Sequence, residues 1–156
     1  MIRAALLALA LWSSGCGLAS KDVEISQNLT AGGGPPTADP SFDSAKLLAP
    51  LSADVSKLSS VTLTAARLEA LDNQGLDFVS AVTLTLSGNG LPSVDVAQLT
   101  AAPTATQLRA DLSVAGRDLK PYLQAGGLLG AKIDYSPRPV TARSLRLTLT
   151  LHGSLL

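Results

Sequence analysis

Apolar and polar residues alternate with a period of two over much of this 156-residue chain. Alternation is clearest at residues 61–66, 82–87 and 145–152, where Val or Leu alternates mainly with Thr, Ser or Arg. This pattern is typical of antiparallel strands that bury one face and leave the other in water. Weaker alternation predicts further strands at residues 22–29, 93–99, 108–114 and 133–135.

Turn signals separate these strands at short intervals. Gly88, Asn89 and Gly90 follow the run at 79–87 and predict a hairpin with residues 93–99. Proline-containing segments separate the later strands. The spacing favours a mainly β fold, an antiparallel β-sandwich of immunoglobulin-like size with six to seven strands.

Residues 41–58 have helical spacing instead. Their apolar side chains recur at steps of four, four and three, which is one face of a helix. These side chains are Leu47, Leu51, Val55 and Leu58. Pro50 interrupts the segment, and an interior proline removes a helical hydrogen bond. We therefore expect a short kinked helix before the main sheet, or two shorter helices with Ser52 capping the second.

The N-terminus has the order of a secretory signal peptide. Arg3 precedes an apolar run at residues 4–12, and the small residues 13–15 lead directly to Cys16. The apolar run is too short to cross a bilayer as a helix, which takes about 20 residues. The alternative interpretation is an ordinary secreted protein cut nearby, with a free thiol at Cys16.

The segment that ends at Cys16 resembles the lipobox of bacterial lipoproteins. The resemblance implies that the Cys16 sulfur receives a diacylglyceryl group and that cleavage occurs before this residue. Gly17 rather than Asp follows, which by the same resemblance favours the outer membrane of the cell envelope. The expected organisation is a signal peptide at 1–15, a lipidated tether at 16–40 and a β-sandwich domain at 41–156.

The tether has two alternative lengths. If residues 22–29 form an edge strand of the sheet, only the five residues 17–21 separate it from Cys16, and the domain sits close to the bilayer. If they do not pair, the tether continues through the Gly- and Pro-rich residues 32–36 to Pro40. The alternation of Val23 and Ile25 with polar neighbours favours the strand.

Charge and composition exclude several partners. The chain has 12 basic and 12 acidic residues, and the predicted cleavage removes only Arg3 from this balance. A near-neutral chain argues against nucleic-acid binding and against electrostatic capture of anionic lipid. Aromatic residues make up only 3% of the chain, so stacking platforms for bases or sugars are scarce.

Candidate catalytic chemistry is sparse. The one histidine, His152, falls on the polar face of the last strand, and the one cysteine is assigned to lipid. The acidic residues have no calcium-loop spacing, and residues 72–75 are best interpreted as a turn. We therefore expect no metal site, no cofactor and no catalytic residues.

Residues 122–130 are more apolar than an ordinary surface loop. Leu123, Leu128 and Leu129 lie here among glycines. One interpretation is a loop that closes the end of the sandwich. The other is an exposed apolar contact loop that touches a membrane, a lipid or a protein partner.

Together these features predict a lipid-anchored envelope protein that is not an enzyme. Its β-sandwich is expected to act as a structural or interaction module that acyl chains on Cys16 hold to the membrane. The expected partner is an envelope protein or a lipid. The alternative is a carrier of a lipid or small apolar ligand, which requires a cavity between the sheets. An enzyme would require acidic residues gathered around His152.

Overall fold

A computed structural model describes residues 20–34, 39–51 and 55–155, and it is mainly β. Eight strands and two short helices make up the described chain. The strands are β1 (Ser20–Ala31), β2 (Ser41–Asp43), β3 (Leu58–Ala70), β4 (Val79–Gly88), β5 (Leu91–Gln98), β6 (Arg109–Val114), β7 (Leu128–Tyr135) and β8 (Arg143–Leu155). The helices are α1 (Ser44–Leu48) and α2 (Lys120–Gln124), and 3₁₀ turns lie at Ala49–Leu51 and Val55–Lys57.

All eight strands belong to one curled sheet in the order β1-β8-β3-β6-β5-β4-β7-β2. Every pair of neighbours is antiparallel. The join in the middle is narrow, because β5 and β6 pair only through Ala97 with Val114 and Gln98 with Ser113. The sheet therefore has two four-stranded halves that meet at the end of β6.

The alternating leucines and valines of the curled sheet form one apolar core cluster. Leu145, Leu147, Leu149 and Leu151 are all fully buried along β8, and Thr and Arg occupy the outward positions between them. Strands β3 and β4 contribute inward residues in the same way. The period-two pattern thus sets which face of each strand enters the core.

Strand polarity gives the domain two distinct ends. Odd-numbered strands start at the end where β1 starts, and even-numbered strands finish there, since all neighbours are antiparallel. We call this the proximal end; it contains Ser20, the β2–β3 connection, the β4–β5 turn and the β6–β7 connection with α2. The distal end contains the other four connections.

The antiparallel, mainly β architecture with a short helix is confirmed, but the strand count is eight. Each of the seven alternating runs forms a strand, and the predicted hairpin forms between β4 and β5. The additional strand is β2, whose three residues pair with β7. Three residues are too few to show a period-two pattern, so the sequence did not predict this strand.

The helical prediction for residues 41–58 was wrong at both ends. The first residues form β2, and Leu58 already belongs to β3. Helix α1 begins after Asp43, whose carboxylate accepts a 2.8 Å hydrogen bond from the Lys46 amide as an N-cap. The chain tightens to a 3₁₀ turn at Pro50, and the predicted cap Ser52 lies outside the described residues.

Residues 22–29 do pair with the main sheet. They lie within β1, which pairs with β8 along its whole length, from Ser20 with Ser154 to Ala31 with Arg143. Val23 is buried, and Ile25 and Leu29 pack partly against the core. The first described residues are therefore part of the same sheet as the rest of the domain.

Candidate functional site

Cys16, the predicted lipidation site, lies outside the described residues. The nearest described residue is Ser20, which opens β1 at the proximal end and faces Ser154 of β8. Only residues 17–19 separate Cys16 from this strand. Because an extended chain covers at most about 3.6 Å per residue, the segment between Cys16 and Ser20 can span at most about 15 Å.

The three leucines of the predicted apolar contact loop do not share one surface. Leu123 lies in α2 and is buried, and Leu129 is fully buried as the second residue of β7. Leu128 alone is exposed, at 43%. Strand alternation explains the difference between Leu128 and Leu129, so the contact-loop hypothesis is corrected to one exposed leucine above a closing helix.

Helix α2 closes the proximal end of the core. The backbone amide of Leu119 donates to the carbonyl of Val61 at 2.6 Å, which ties this connection to β3. The Tyr122 hydroxyl donates to the carbonyl of Pro92 at 3.0 Å, on β5. The segment thus contacts both halves of the sheet, as the interpretation of a closing loop requires.

His152 is on the outward face of β8, as the sequence predicts. Its Nδ1 lies 2.6 Å from Oδ1 of Asp22 across the β1–β8 pair, and its Nε2 lies 3.4 Å from the Ser154 hydroxyl. Both the His152 and Asp22 side chains are accessible to water. In the ranges that the structure describes, no three His, Cys, Asp or Glu side chains are grouped to hold a metal ion.

A charged groove that sequence reasoning missed crosses the outward face of β1, β8, β3 and β6. It is an open depression of about 240 Å³. Acidic and basic side chains from four strands line it together with small and Thr residues. The charged members are Glu24, Arg67, Glu69, Arg109, Asp111 and Arg146.

Cross-strand ion pairs organise this groove. Arg67 Nε donates to Asp111 Oδ1 at 2.6 Å, and Arg109 Nε donates to Glu69 Oε1 at 2.8 Å. Each pair lies directly opposite in the β3–β6 register. The bond to Asp111 and its charge raise the pKa of Arg67. Because opposite charges neutralise each other here, the groove does not present a strong field of either sign.

The signal for this groove was partly present in the sequence. The outward positions of each strand follow from the alternation, so the charges could be assigned to the polar face. Their grouping could not be assigned, because it needs the order in which β1, β8, β3 and β6 lie side by side. That order joins residues far apart in the chain.

A second polar cluster lies at the distal end around Arg143. Its guanidinium contacts both carboxylate oxygens of Asp72, donates to the Gly75 carbonyl at 2.9 Å and lies 4.4 Å from the Phe78 ring centroid. The hydrogen bond from Arg143 is the main cause that lowers the pKa of Asp72, against the opposing effect of burial. This cluster ties the turn after β3 to the start of β8.

Comparisons with known proteins leave the family of this chain open. No family model matches it, and no curated protein matches it. Among solved structures, the tobacco streak virus coat protein dimer is similar at 8% identity, with 86% of each chain covered and a TM-score of 0.32. A turnip yellow mosaic virus structure is similar at 13% identity, covering 100% of this chain and 90% of the other, with a TM-score of 0.36. Likenesses this low carry no conclusion about function.

Within the described ranges, no helix combines the length and the apolar character that a membrane span requires.

Proposed function

We propose that this protein is a bacterial lipoprotein, anchored in the cell envelope through acyl chains on Cys16, with a non-catalytic β domain that acts as a structural or interaction module. The outer membrane is the favoured location, because Gly17 rather than Asp follows the cysteine. The observation that carries the proposal is the lipobox-like segment at residues 13–16 followed, after three intervening residues, by the start of β1.

The short tether supports a domain held at the membrane surface. Since β1 is paired with β8 from Ser20 onward, the chain has no long free linker between the cysteine and the sheet. Two or three acyl chains on one cysteine hold far more firmly than a single chain, which binds only reversibly. The domain then stays beside one bilayer and meets partners there.

We also propose that the curled sheet packs as a two-layer sandwich. The narrow β5–β6 join and the single core cluster shared by both halves support this architecture. Helix α2, which contacts strands of both halves, supports it as well. The outward face of one layer then carries the charged groove, which is the candidate surface for a protein partner with mixed charge.

The proposal is tested first by the intact mass of the mature protein extracted from membranes. We expect a mass equal to residues 16–156 plus a diacylglyceryl and an acyl group. A Cys16→Ala variant is expected to lack both groups and to retain the uncleaved signal peptide. An unlipidated wild-type mass would overturn the anchor and the location together.

The interaction role is tested by site-specific photo-crosslinking in intact cells. A photoreactive residue at Thr148, inside the charged groove, is compared with one at Lys132, on the outward face of β7. We expect a discrete adduct from position 148 that position 132 does not give. Identical patterns at the two positions, or no adduct at 148, would contradict a partner surface in the groove.

A further inference from the structure

The lysines of this protein collect at one end of the domain. Four of the five lysines in the chain, and one arginine, belong to segments of the proximal end, while the fifth lysine lies in β7. These five basic residues are Lys21, Lys46, Lys57, Arg117 and Lys120. They come from four separate segments of the chain, so no run of basic residues marks them in the sequence.

The fold brings these segments together through specific contacts. Lys21 Nζ donates to the Pro50 carbonyl at 2.8 Å, which places the α1 segment beside the start of β1. Asp118 pairs with Thr62 as an isolated bridge, which holds Arg117 and Lys120 near the start of β3.

Within the described ranges, the five proximal basic residues form no ion pairs, unlike four basic residues elsewhere in the molecule. In the described ranges, Arg67, Arg109, Arg143 and Lys132 each pair with a carboxylate. None of the five proximal residues does so within those same ranges. Four of them are exposed, and Lys120 is half-buried. Their positive charges are therefore not neutralised by an ion pair within the described ranges, and the Lys21 ammonium donates to a neutral carbonyl only.

The acidic residues of the described proximal segments are already engaged. Asp43 caps α1, and Asp118 accepts hydrogen bonds from the backbone amides of Val61 and Lys120. Asp22 lies against His152. Within the described ranges, five basic groups at this end thus outnumber three carboxylates, which gives those residues a positive excess of two charges; Asp54, in the β2–β3 connection, lies outside the described residues.

The chain before Ser20 indicates what this positive end faces. At most about 15 Å of extended chain connects Cys16 to the proximal end, because only residues 17–19 intervene. Lysines near an anionic bilayer are attracted to its phosphate groups within about a Debye length of the surface. The opposite end of a 13-residue strand such as β3 lies about 40 Å away, beyond that range.

We infer that the proximal end is a membrane-docking surface, on which the lysines contact anionic phospholipid headgroups and hold the domain in one orientation on the bilayer. The inference rests on the proposed lipidation of Cys16. It modifies the expectation, drawn from the near-neutral net charge, that electrostatic contact with lipid plays no part. The net charge is balanced over the whole chain, but five of the seven Lys and Arg residues that form no ion pair within the described ranges lie at the proximal end; the other two are Arg138 and Arg146.

The test uses a single tryptophan as a reporter of contact with lipid. The only tryptophan, Trp12, lies in the predicted signal peptide, so the mature protein has none. Leu128→Trp reports from the proximal end and Val140→Trp from the distal end, and both side chains are exposed. Each lipidated protein is reconstituted into phosphatidylglycerol–phosphatidylcholine vesicles that contain brominated acyl chains, and the quenching of its fluorescence is measured.

We expect strong quenching for Leu128→Trp and little for Val140→Trp. Adding Lys46→Glu, Lys57→Glu and Lys120→Glu to the Leu128→Trp protein should lower its docked population by about tenfold, because each basic residue contributes near an anionic surface. A matched control, Lys132→Glu in the same background, should leave the quenching unchanged. Vesicles of phosphatidylcholine alone, or about 1 M salt, should abolish the difference between the two reporters.

The same samples separate the two proposals. An intact mass with acyl groups, together with equal quenching at the two positions or no response to the triple substitution, would overturn the docking surface alone. A mass without acyl groups would overturn the anchor and the docking surface with it. Equal thermal midpoints for the triple variant and the Lys132→Glu control would show that lost quenching does not arise from unfolding.

Discussion

Arg143 has the densest set of polar contacts of any single side chain in the described domain. It joins a carboxylate, a backbone carbonyl and an aromatic face, and its side chain is only 11% exposed. The charge of Asp72 is retained at this site because the guanidinium compensates for the loss of water. The contacts link β8 to the turn after β3, so one residue couples two segments that are distant in sequence.

Replacing Arg143 is expected to destabilise the domain. Arg143→Ala leaves Asp72 with no charged partner and removes three hydrogen bonds, so we expect a loss of about 2–3 kcal/mol in the free energy of unfolding. Chemical denaturation measures this loss. Arg138→Ala is the control, because Arg138 makes one exposed hydrogen bond, to the Gly34 carbonyl. Equal losses in the two variants would contradict the role given to the cluster.

Asp72 makes the free energy of unfolding depend on pH. Its pKa in the folded protein is below its ordinary value, so its contribution is present above the unfolded pKa and is lost as the pH falls through the folded pKa. We expect Asp72→Asn to be less stable than the wild type at pH 7 and the difference to disappear as the pH falls below the folded-state pKa of Asp72. Asp77→Asn, at an exposed position, is the control and should match the wild type throughout.

Gly75 is needed for a close backbone approach at the same turn. A Cβ atom at this position would lie 1.9 Å from the Ala105 carbonyl oxygen, which is backbone and cannot rotate away. We expect Gly75→Ala to cost about 1–3 kcal/mol, measured by denaturation. Gly34→Ala is the matched control, because its Cβ would meet nothing within 4 Å. If both variants kept wild-type stability, the close contact would be refuted.

At the scale of elements, α2 and β7 divide their leucines between core and surface. Leu123 faces inward from α2, and Leu129 faces inward from β7, whereas Leu128 faces out. The apolar content of residues 122–130 marked the segment as unusual, but it could not distinguish a segment that closes the core from an exposed apolar contact loop. The distinction depends on which residue begins β7, and β4 sets this through the pairing of Ser87 with Leu128.

This division predicts a large loss of stability when Leu123 is truncated and a small change when Leu128 is truncated. Leu123→Ala should destabilise the domain by about 2–4 kcal/mol, because it leaves a cavity under α2. Leu128→Ala should change the free energy of unfolding by less than about 0.5 kcal/mol, since its side chain is already partly in water. Denaturation curves for the two variants provide the comparison. A larger loss for Leu128→Ala would mean that this leucine packs inside.

At the scale of the whole molecule, the sheet order determines which strands are most stable. β8 lies between β1 and β3 and pairs with both along most of its length. β2 is an edge strand with three residues paired to β7. We expect amide hydrogen exchange, measured by mass spectrometry, to be slowest at 145–151 and fastest among the strands at 41–43. Equal protection in the two regions would contradict the strand order.

The sheet order also creates both candidate surfaces. The charged groove needs four strands that are separated in sequence to lie side by side, and the proximal lysines need every odd-numbered strand to start at the same end. These surfaces belong to the fold rather than to any segment. For the same reason, neither surface could be inferred from the net charge of the chain.

The sequence by itself determined the approximate positions and inward faces of seven of the eight strands, the β4–β5 hairpin and the lipobox-like segment at Cys16. These features are local, because alternation, turn residues and a processing signal act over a few neighbouring residues. Only the tertiary structure decided the order of the strands, the brief strand β2, the burial of Leu123 and Leu129, and the gathering of charges in the groove and at the proximal end. Pairing between distant segments sets these features, and a period-two pattern carries no information about which strand lies beside which.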